Sequence, residues 1–157
     1  MTVNGTVIAV CRSEAKGTPK DAVPRADLVV QHGLQGDAHA GPGDRQVSIL
    51  AHEDIEDFKR RVPDLAPGAF GENLVIAGLD LAALGIGSRL VVGGAELEIS
   101  RIGKECHHAC TIRERAGDCI MPRRGLFAVV VAGGPVVAGD AVVVRRVVAA
   151  HPLEELR

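Results

Sequence analysis

The residues best equipped for chemistry are crowded into one segment, GKECHHACTIRERAGDCIMPRRG at positions 103–125. It holds three of the four Cys (Cys106, Cys110, Cys119), two of the six His (His107, His108) and five basic residues (Lys104, Arg113, Arg115, Arg123, Arg124). Thiols and imidazoles outside a disulfide framework serve as metal ligands, nucleophiles or sulfur carriers. Neighbouring Lys and Arg favour the thiolate, which is the reactive and metal-ligating form. Cys106 stands out because Lys104, Glu105, His107 and His108 flank it and make burial as a small hydrophobe costly. His107 or His108 is then a candidate proton partner, and Cys110 or Cys119 a candidate resolving thiol. A structural zinc site is the rival reading, with Cys106, His107 or His108, Cys110 and Cys119 as ligands. Its first pair, Cys106-x3-Cys110, is tolerable, but Cys119 stands alone where a second ligand pair belongs. Cys11, at the end of an apolar strand, reads as a core residue.

Two further stretches carry polar groups between apolar runs. HGLQGDAHAGPGD, at 32–44, is neither a dinucleotide fingerprint nor a phosphate-cradling P-loop. It reads as a flexible loop beside an active site, with His39 as its candidate side chain. FGENL, at 70–74, reads either as a turn in which Asn73 bonds backbone or as a donor and acceptor pair, Glu72 and Asn73, facing a ligand.

The elements that must hold these groups are short. Residues 3–11, 27–31 and 45–51 read as strands, and 90–92 with 97–99 as a hairpin about Gly93-Gly94. Strands at about 126–131 and 141–148 follow, joined by Gly- and Pro-containing turns. One helix is expected at 51–62, where Ile55, Phe58 and Val62 share a face, Glu53 and Asp54 sit in the first turn and Pro63 ends it. Many short strands, one packing helix and 19 Gly predict a mainly β fold, a barrel or a twisted sheet, in a single domain spanning 1–157.

Composition excludes several functions. A net charge of −2, with three Phe and no Trp or Tyr, leaves neither the field nor the stacking platform that nucleic acid needs. The N-terminus lacks a basic leader followed by an apolar stretch, and no uninterrupted apolar run reaches membrane-spanning length, so a cytoplasmic protein with reduced thiols is expected. No haem, flavin or iron–sulfur signature is present, so any redox role would draw electrons from partners.

Taken in order, Gly36-Asp37-Ala38-His39-Ala40-Gly41, Arg45-Gln46-Val47-Ser48, Gly68-Ala69-Phe70-Gly71-Glu72-Asn73-Leu74, Gly78-Leu79-Asp80-Leu81, Ile102-Gly103-Lys104-Glu105-Cys106-His107 and Gly139-Asp140 resemble the MOSC domain family, named for the C-terminal domain of molybdenum cofactor sulfurase. The likeness spans about 5–146, leaves a tail at 147–157, and is nearest to small stand-alone bacterial members. It implies a MOSC-type β-barrel with one or two short packing helices. It also implies binding of the molybdenum cofactor (molybdopterin) or a related pterin–sulfur ligand, or sulfur carriage through a Cys persulfide. Some relatives reduce N-hydroxylated compounds. Cys106 matches the family's key Cys, as metal ligand or sulfur acceptor. Arg45, Lys104, Arg123 and Arg124 suit the pterin phosphate, Glu72 and Asn73 the pterin edge, and His39 adjoins them. Glu105 stands where many relatives have Pro. Cofactor-biosynthesis or electron-transfer proteins are the implied partners, a homodimer is compatible, and a zinc-stabilised interaction module is the non-enzymatic alternative.

Overall fold

The computed structural model describes residues 4–16, 18–103 and 125–150. In chain order they form β1 (Asn4–Arg12), β2 (Asp21–Ala22), β3 (Arg25–Val29), β4 (Gly33–Leu34), β5 (Val47–Ala51), α1 (His52–Phe58), β6 (Leu74–Ala77), a 3-10 turn at Leu81–Ala83, β7 (Arg89–Val92), β8 (Ala95–Ile102), β9 (Leu126–Ala132), β10 (Gly134–Val137) and β11 (Ala141–Arg146). Seven strands close on themselves in the ring β1-β6-β5-β9-β8-β7-β11, with β11 pairing back onto β1 through Asn4↔Val143 and Thr6↔Ala141. The expected mainly β barrel is therefore the fold. Closure leaves no open edge around the ring.

Alternation along the strands sets inside from outside. Ile49, Leu74, Ile76, Leu90, Leu97, Ile99, Ala128 and Val130 fill the interior together with Val7 and Val10. Between Val7 and Ala9 the register of β1 against β6 slips by one residue, which leaves Ile8 at the surface. Beyond the slip, Ala9 and Cys11 face outward, where they join Leu50, Val75 and Phe127 beneath Ile55 and Phe58 of α1 and Val62, Leu65 and Phe70 of the following loop. A smaller sheet, β10-β3-β4, contributes Ala26, Leu28, Leu34 and Val136 to the interior cluster.

Three local expectations change. Residues 134–137, read as part of a turn, form β10 and pair with β3. The second strand is Arg25–Val29 because Gln31 takes a left-handed φ of 59° and His32 closes a turn onto Val29. The helix ends at Phe58, since Arg60 and Arg61 already bond three residues back and Pro63 disfavours helical geometry at Val62. Its apolar face is nevertheless the expected one, with Ile55, Phe58 and Val62 all buried. Outside the barrel, Arg89, Glu96, Glu98, Arg145 and Arg146 form a cross-strand ladder of ion pairs on β7, β8 and β11.

Ile49 is 0% exposed and lies between β6 and β9. Ile49→Ala is expected to cost about 2–5 kcal/mol through lost burial and the cavity left behind. The lowered urea midpoint, at unchanged slope, measures it.

Candidate functional site

Of the residues singled out from the sequence, Lys104, Cys106, His107, Cys110, Cys119, Arg123 and Arg124 lie outside the described residues, as do both ligand sets considered for zinc. What is described is the frame they leave from. The chain departs after Ile102 and returns at Leu126, which are paired partners across β8 and β9. Gly103 N–H donates to the Gly125 carbonyl at 2.7 Å, so the two ends of the segment are tied together. Leu126 also pairs with Ile49, which fixes this neck to the barrel wall.

Arg45 and Arg101 stand beside the neck. The Arg45 guanidinium lies over the Phe127 ring, 5.7 Å from its centroid. Phe127 is the register partner of both Ser48 and Arg101. Directly opposed residues share a face, so the Arg101 side chain rises on the same side as Phe127. Gln46 sets Arg45 in place. It is fully buried, accepts from Val130 N–H at 2.9 Å and donates to the Gly43 carbonyl at 3.1 Å, lashing the approach to β5 onto β9.

A second polar centre is built around Lys20. Its ammonium is 1% exposed and donates to Asp37 Oδ1 at 2.8 Å, Ser13 Oγ at 3.2 Å and His39 Nδ1 at 3.0 Å. All three donors of the ammonium are thereby matched. With Lys20 donating, His39 Nδ1 is the acceptor and the ring proton sits on Nε2. Asp37 also accepts from the amides of Ser13 and His39. Burial pushes the Asp37 carboxyl up, but the hydrogen bonds from Lys20 and Ser13 and the Lys20 charge outweigh it and hold the group below its ordinary range. The Gly-rich loop that was expected to be flexible is tied down here. Asp37 N–H bonds Leu34, Ala38 N–H bonds Ser13, and Gly41 N–H bonds His32.

The FGENL turn is a structural junction. Asn73 Oδ1 accepts from the amide and hydroxyl of Ser48, and its Nδ2 donates to the Cys11 carbonyl at 3.1 Å. Glu72 is fully buried and accepts from Gly68 N–H at 2.9 Å and Phe70 N–H at 3.0 Å. Burial pushes its carboxyl above the ordinary range, only partly offset by those amides and by Lys20. Both side chains thus have partners within the chain. Gly68 joins this turn to Lys20. Its φ is +90°, its carbonyl accepts from Lys20 N–H, and a Cβ there would meet the Lys20 carbonyl at 2.0 Å. Cys11 is completely buried and, through burial first and Glu72 second, its thiol is pushed up to about 12, which makes it inert as a nucleophile.

Lys20, Ser13 and Arg101 carry no local sequence signal. A lone Lys in TPKD and an Arg in a strand look like surface charge until tertiary structure gives them partners. Asp37 was part of a recognised motif, yet its partner lies 17 residues away. Among the described residues no group of three or more His, Cys, Asp or Glu is placed to hold a metal ion, and no helix is long and apolar enough to cross a membrane.

A closed seven-stranded barrel with a tied-off Cys- and His-bearing segment defines the kind of protein this is, and the comparisons give it a family. The family model for the MOSC domain matches residues 35–143, so the chain belongs to the MOSC domain family. Its fold is similar to that of the YuaD protein from Bacillus subtilis, with a TM-score of 0.76, 20% identity, and coverage of 91% of this chain and 96% of that one. YiiM from Geobacillus stearothermophilus is similar with a TM-score of 0.70, 18% identity, and coverage of 97% and 81%. YiiM from Escherichia coli gives a TM-score of 0.64, 24% identity, and coverage of 99% and 75%. At these identities the likeness is one of fold. No curated protein sequence matches the chain.

Removing one member of the Lys20–Asp37 pair strands the other charge in the interior. Lys20→Met is expected to cost about 3–5 kcal/mol, and the double variant with Asp37→Asn to lose less than the sum of the singles. Because the Asp37 carboxyl is held down in the folded state, its contribution is present at neutral pH and lost as pH falls through the folded-state value. The deficit of Lys20→Met should therefore be largest at neutral pH and shrink as pH falls, because protonation neutralises the stranded Asp37 carboxylate, as followed by circular dichroism of urea unfolding at neutral and acid pH.

Proposed function

We propose that this protein binds the molybdenum cofactor, or a related pterin–sulfur ligand, and uses Cys106 as metal ligand or sulfur acceptor. The observation that carries the reading is the neck. Segment 104–124, with Cys106, leaves and returns through Gly103 and Gly125 beside an exposed Arg45 stacked on Phe127. A thiolate carried on that segment and a guanidinium beside its neck are the donors that suit a ligand with a soft metal–sulfur centre at one end and a phosphate at the other.

The residues present fit such a group. Arg45 is exposed, makes no ion pair among the described residues, and has its guanidinium 5.7 Å from the Phe127 centroid, so its N–H donors suit a bidentate phosphate contact. Lys104, Arg123 and Arg124 lie in the same segment as Cys106 and add positive charge there. Glu72 and Asn73 act by bracing the turn at 68–73, and His39 stands against Lys20 in a loop fixed by Asp37. When bound, the cofactor supplies two-electron chemistry at molybdenum, and the chain's part is to hold the group and keep the Cys106 sulfur as thiolate.

Sulfur carriage is the second use of the same thiolate. Cys106 S⁻ attacks the outer sulfur of a donor persulfide, R–S–SH. One S–S bond forms as the other breaks, R–S⁻ leaves, and Cys106 becomes the persulfide with no net oxidant. His107 is placed in sequence to manage the proton, and Cys110 or Cys119 to resolve the product.

Protein purified from a molybdenum-sufficient host is expected to contain molybdenum and to release a fluorescent pterin on oxidation. Cys106→Ser should lose the metal, or the cyanide-releasable sulfur, by about ten-fold or more while its thermal unfolding stays near that of the parent. A Cys106→Ser protein that keeps both metal and releasable sulfur would sink the assignment. Stoichiometric zinc whose removal unfolds the domain would favour a structural metal instead.

A further inference from the structure

Beyond β11 the chain runs on as a strap, residues 147–150, laid across the loop at 84–88. Val148 N–H donates to Ser88 Oγ at 2.9 Å, and the Val148 carbonyl accepts from Gly85 N–H at 2.7 Å and from Ser88 Oγ at 3.2 Å. Ala149 then pairs antiparallel with Leu84. The loop has no side chain where the strap crosses it. A Cβ on Gly85 would meet the Ala149 carbonyl oxygen at 2.5 Å and the Ala150 Cα at 3.0 Å.

Antiparallel pairing also fixes a direction. As the strap advances from Val148 to Ala149 its partners recede from Gly85 to Leu84, so the chain is headed for the 3-10 turn at Leu81–Ala83. Between that turn and the start of α1 lies a cavity of about 320 Å³. Ala51, Leu79, Leu81 and Ala82 give it apolar walls, and Glu53, Asp54 and Asp80 give it carboxylates. Glu53 is engaged, accepting from Gly78 N–H at 2.8 Å. Asp80 is exposed and makes no ion pair among the described residues.

We infer that this cavity is the seat of the chain's own segment 151–157, HPLEELR, with the Leu153 side chain against the apolar walls and Arg157 against the carboxylates. The segment lies outside the described residues and follows directly on Ala150, where the strap is aimed at the cavity. Pro152 disfavours helical backbone at His151, which favours extension of the strap by a further residue. An extended chain advances about 3.3 Å per residue, so Leu153 comes within reach of Leu81 three residues after Ala150. It is the first large aliphatic side chain after Val148. The void left by one leucine is about 150 Å³, so the cavity has room for it. Arg157, four residues further on, supplies the cation, and Glu154 and Glu155 are left to solvent. Because the segment is tethered beside its seat, one apolar contact and one ion pair suffice to hold it there. The inference is independent of the cofactor reading.

The test follows amide hydrogen exchange in the full chain, read on peptic fragments spanning 149–157 and 79–84, at two protein concentrations about ten-fold apart. In the parent the amides of 153–157 are expected to exchange at least about ten-fold more slowly than in the free peptide HPLEELR, equally at both concentrations. Leu153→Ser, on the segment, and Ala82→Glu, on the cavity wall, should each remove most of that protection. Asp80→Arg should lower it about three-fold, and adding Arg157→Glu should restore part of the loss. Val147→Ser, on the exposed face of the strap, should leave it unchanged. Thermal unfolding near the parent value establishes that each variant is folded. Should Ala82→Glu disturb the turn, Leu153→Ser carries the test from outside the barrel. A parent segment that exchanges at the rate of the free peptide overturns the inference, and so does protection retained in Leu153→Ser. Protection that falls on dilution overturns it too, by assigning the seat to the segment of a second copy.

Discussion

The barrel depends on how β5 and β6 can lie side by side in parallel. Every other neighbouring pair in the ring is antiparallel, and a parallel pair requires the chain to cross over outside the sheet. Here α1 and the loop to Gly71 make that crossing, and Asn73 locks its return. One side-chain amide reaches β5 through the Ser48 amide and hydroxyl, and β1 through the Cys11 carbonyl. Backbone bonds from Cys11 to Asn73 and from Asn73 to Ser48 run through the same point. Three strands of the ring are therefore registered by one turn.

The polar interior near that turn follows from the same crossing. A crossover that dips toward the barrel carries backbone amides into a region without water, and each needs an acceptor. Glu72 meets those of Gly68 and Phe70 with a carboxylate buried beneath them. Gly68, which has no room for a side chain, then brings the loop against Lys20, whose ammonium is neutralised by Asp37. Buried charges of this sort are commonly no more stabilising than apolar residues would be, so their value lies in fixing one arrangement of loops. The outcome is that loop 35–44 is held in place, with His39 pointing one nitrogen inward.

Much of the fold was legible because it is written in short-range patterns. Val-rich apolar runs marked β1 and β9 and polar–apolar alternation marked β5, the Gly93-Gly94 pair marked the β7–β8 hairpin, and Ile55, Phe58 and Val62 marked the face of α1. What escaped was decided by partners distant in sequence. Residues 134–137 contain Gly and Pro and look like a turn, yet β3 supplies a strand to pair with. The Gly-rich loop looked mobile because its glycines speak of local freedom, while the bonds that restrain it come from Ser13 and Lys20. The site divides along the same line. Arg45 was singled out through its motif. Lys20 and Arg101 were not, because a single cation acquires meaning only from the groups that surround it.

That distinction also bears on why a chain of net charge −2 can present a cationic site. Among the described residues many of the charges stand in pairs. Arg89, Arg145 and Arg146 are matched to Glu96 and Glu98 across the outer strands, Arg25 to Asp27, and Lys20 to Asp37. Apart from the buried Lys20–Asp37 pair, these contribute little stability each, but they cancel one another's field at a distance. Beside the neck the cations are less closely matched. Arg45 faces an aromatic ring in place of a carboxylate, and Arg101 has only a long contact to Asp44. Both lie within two residues, or one ring, of the point where Gly103 and Gly125 are joined.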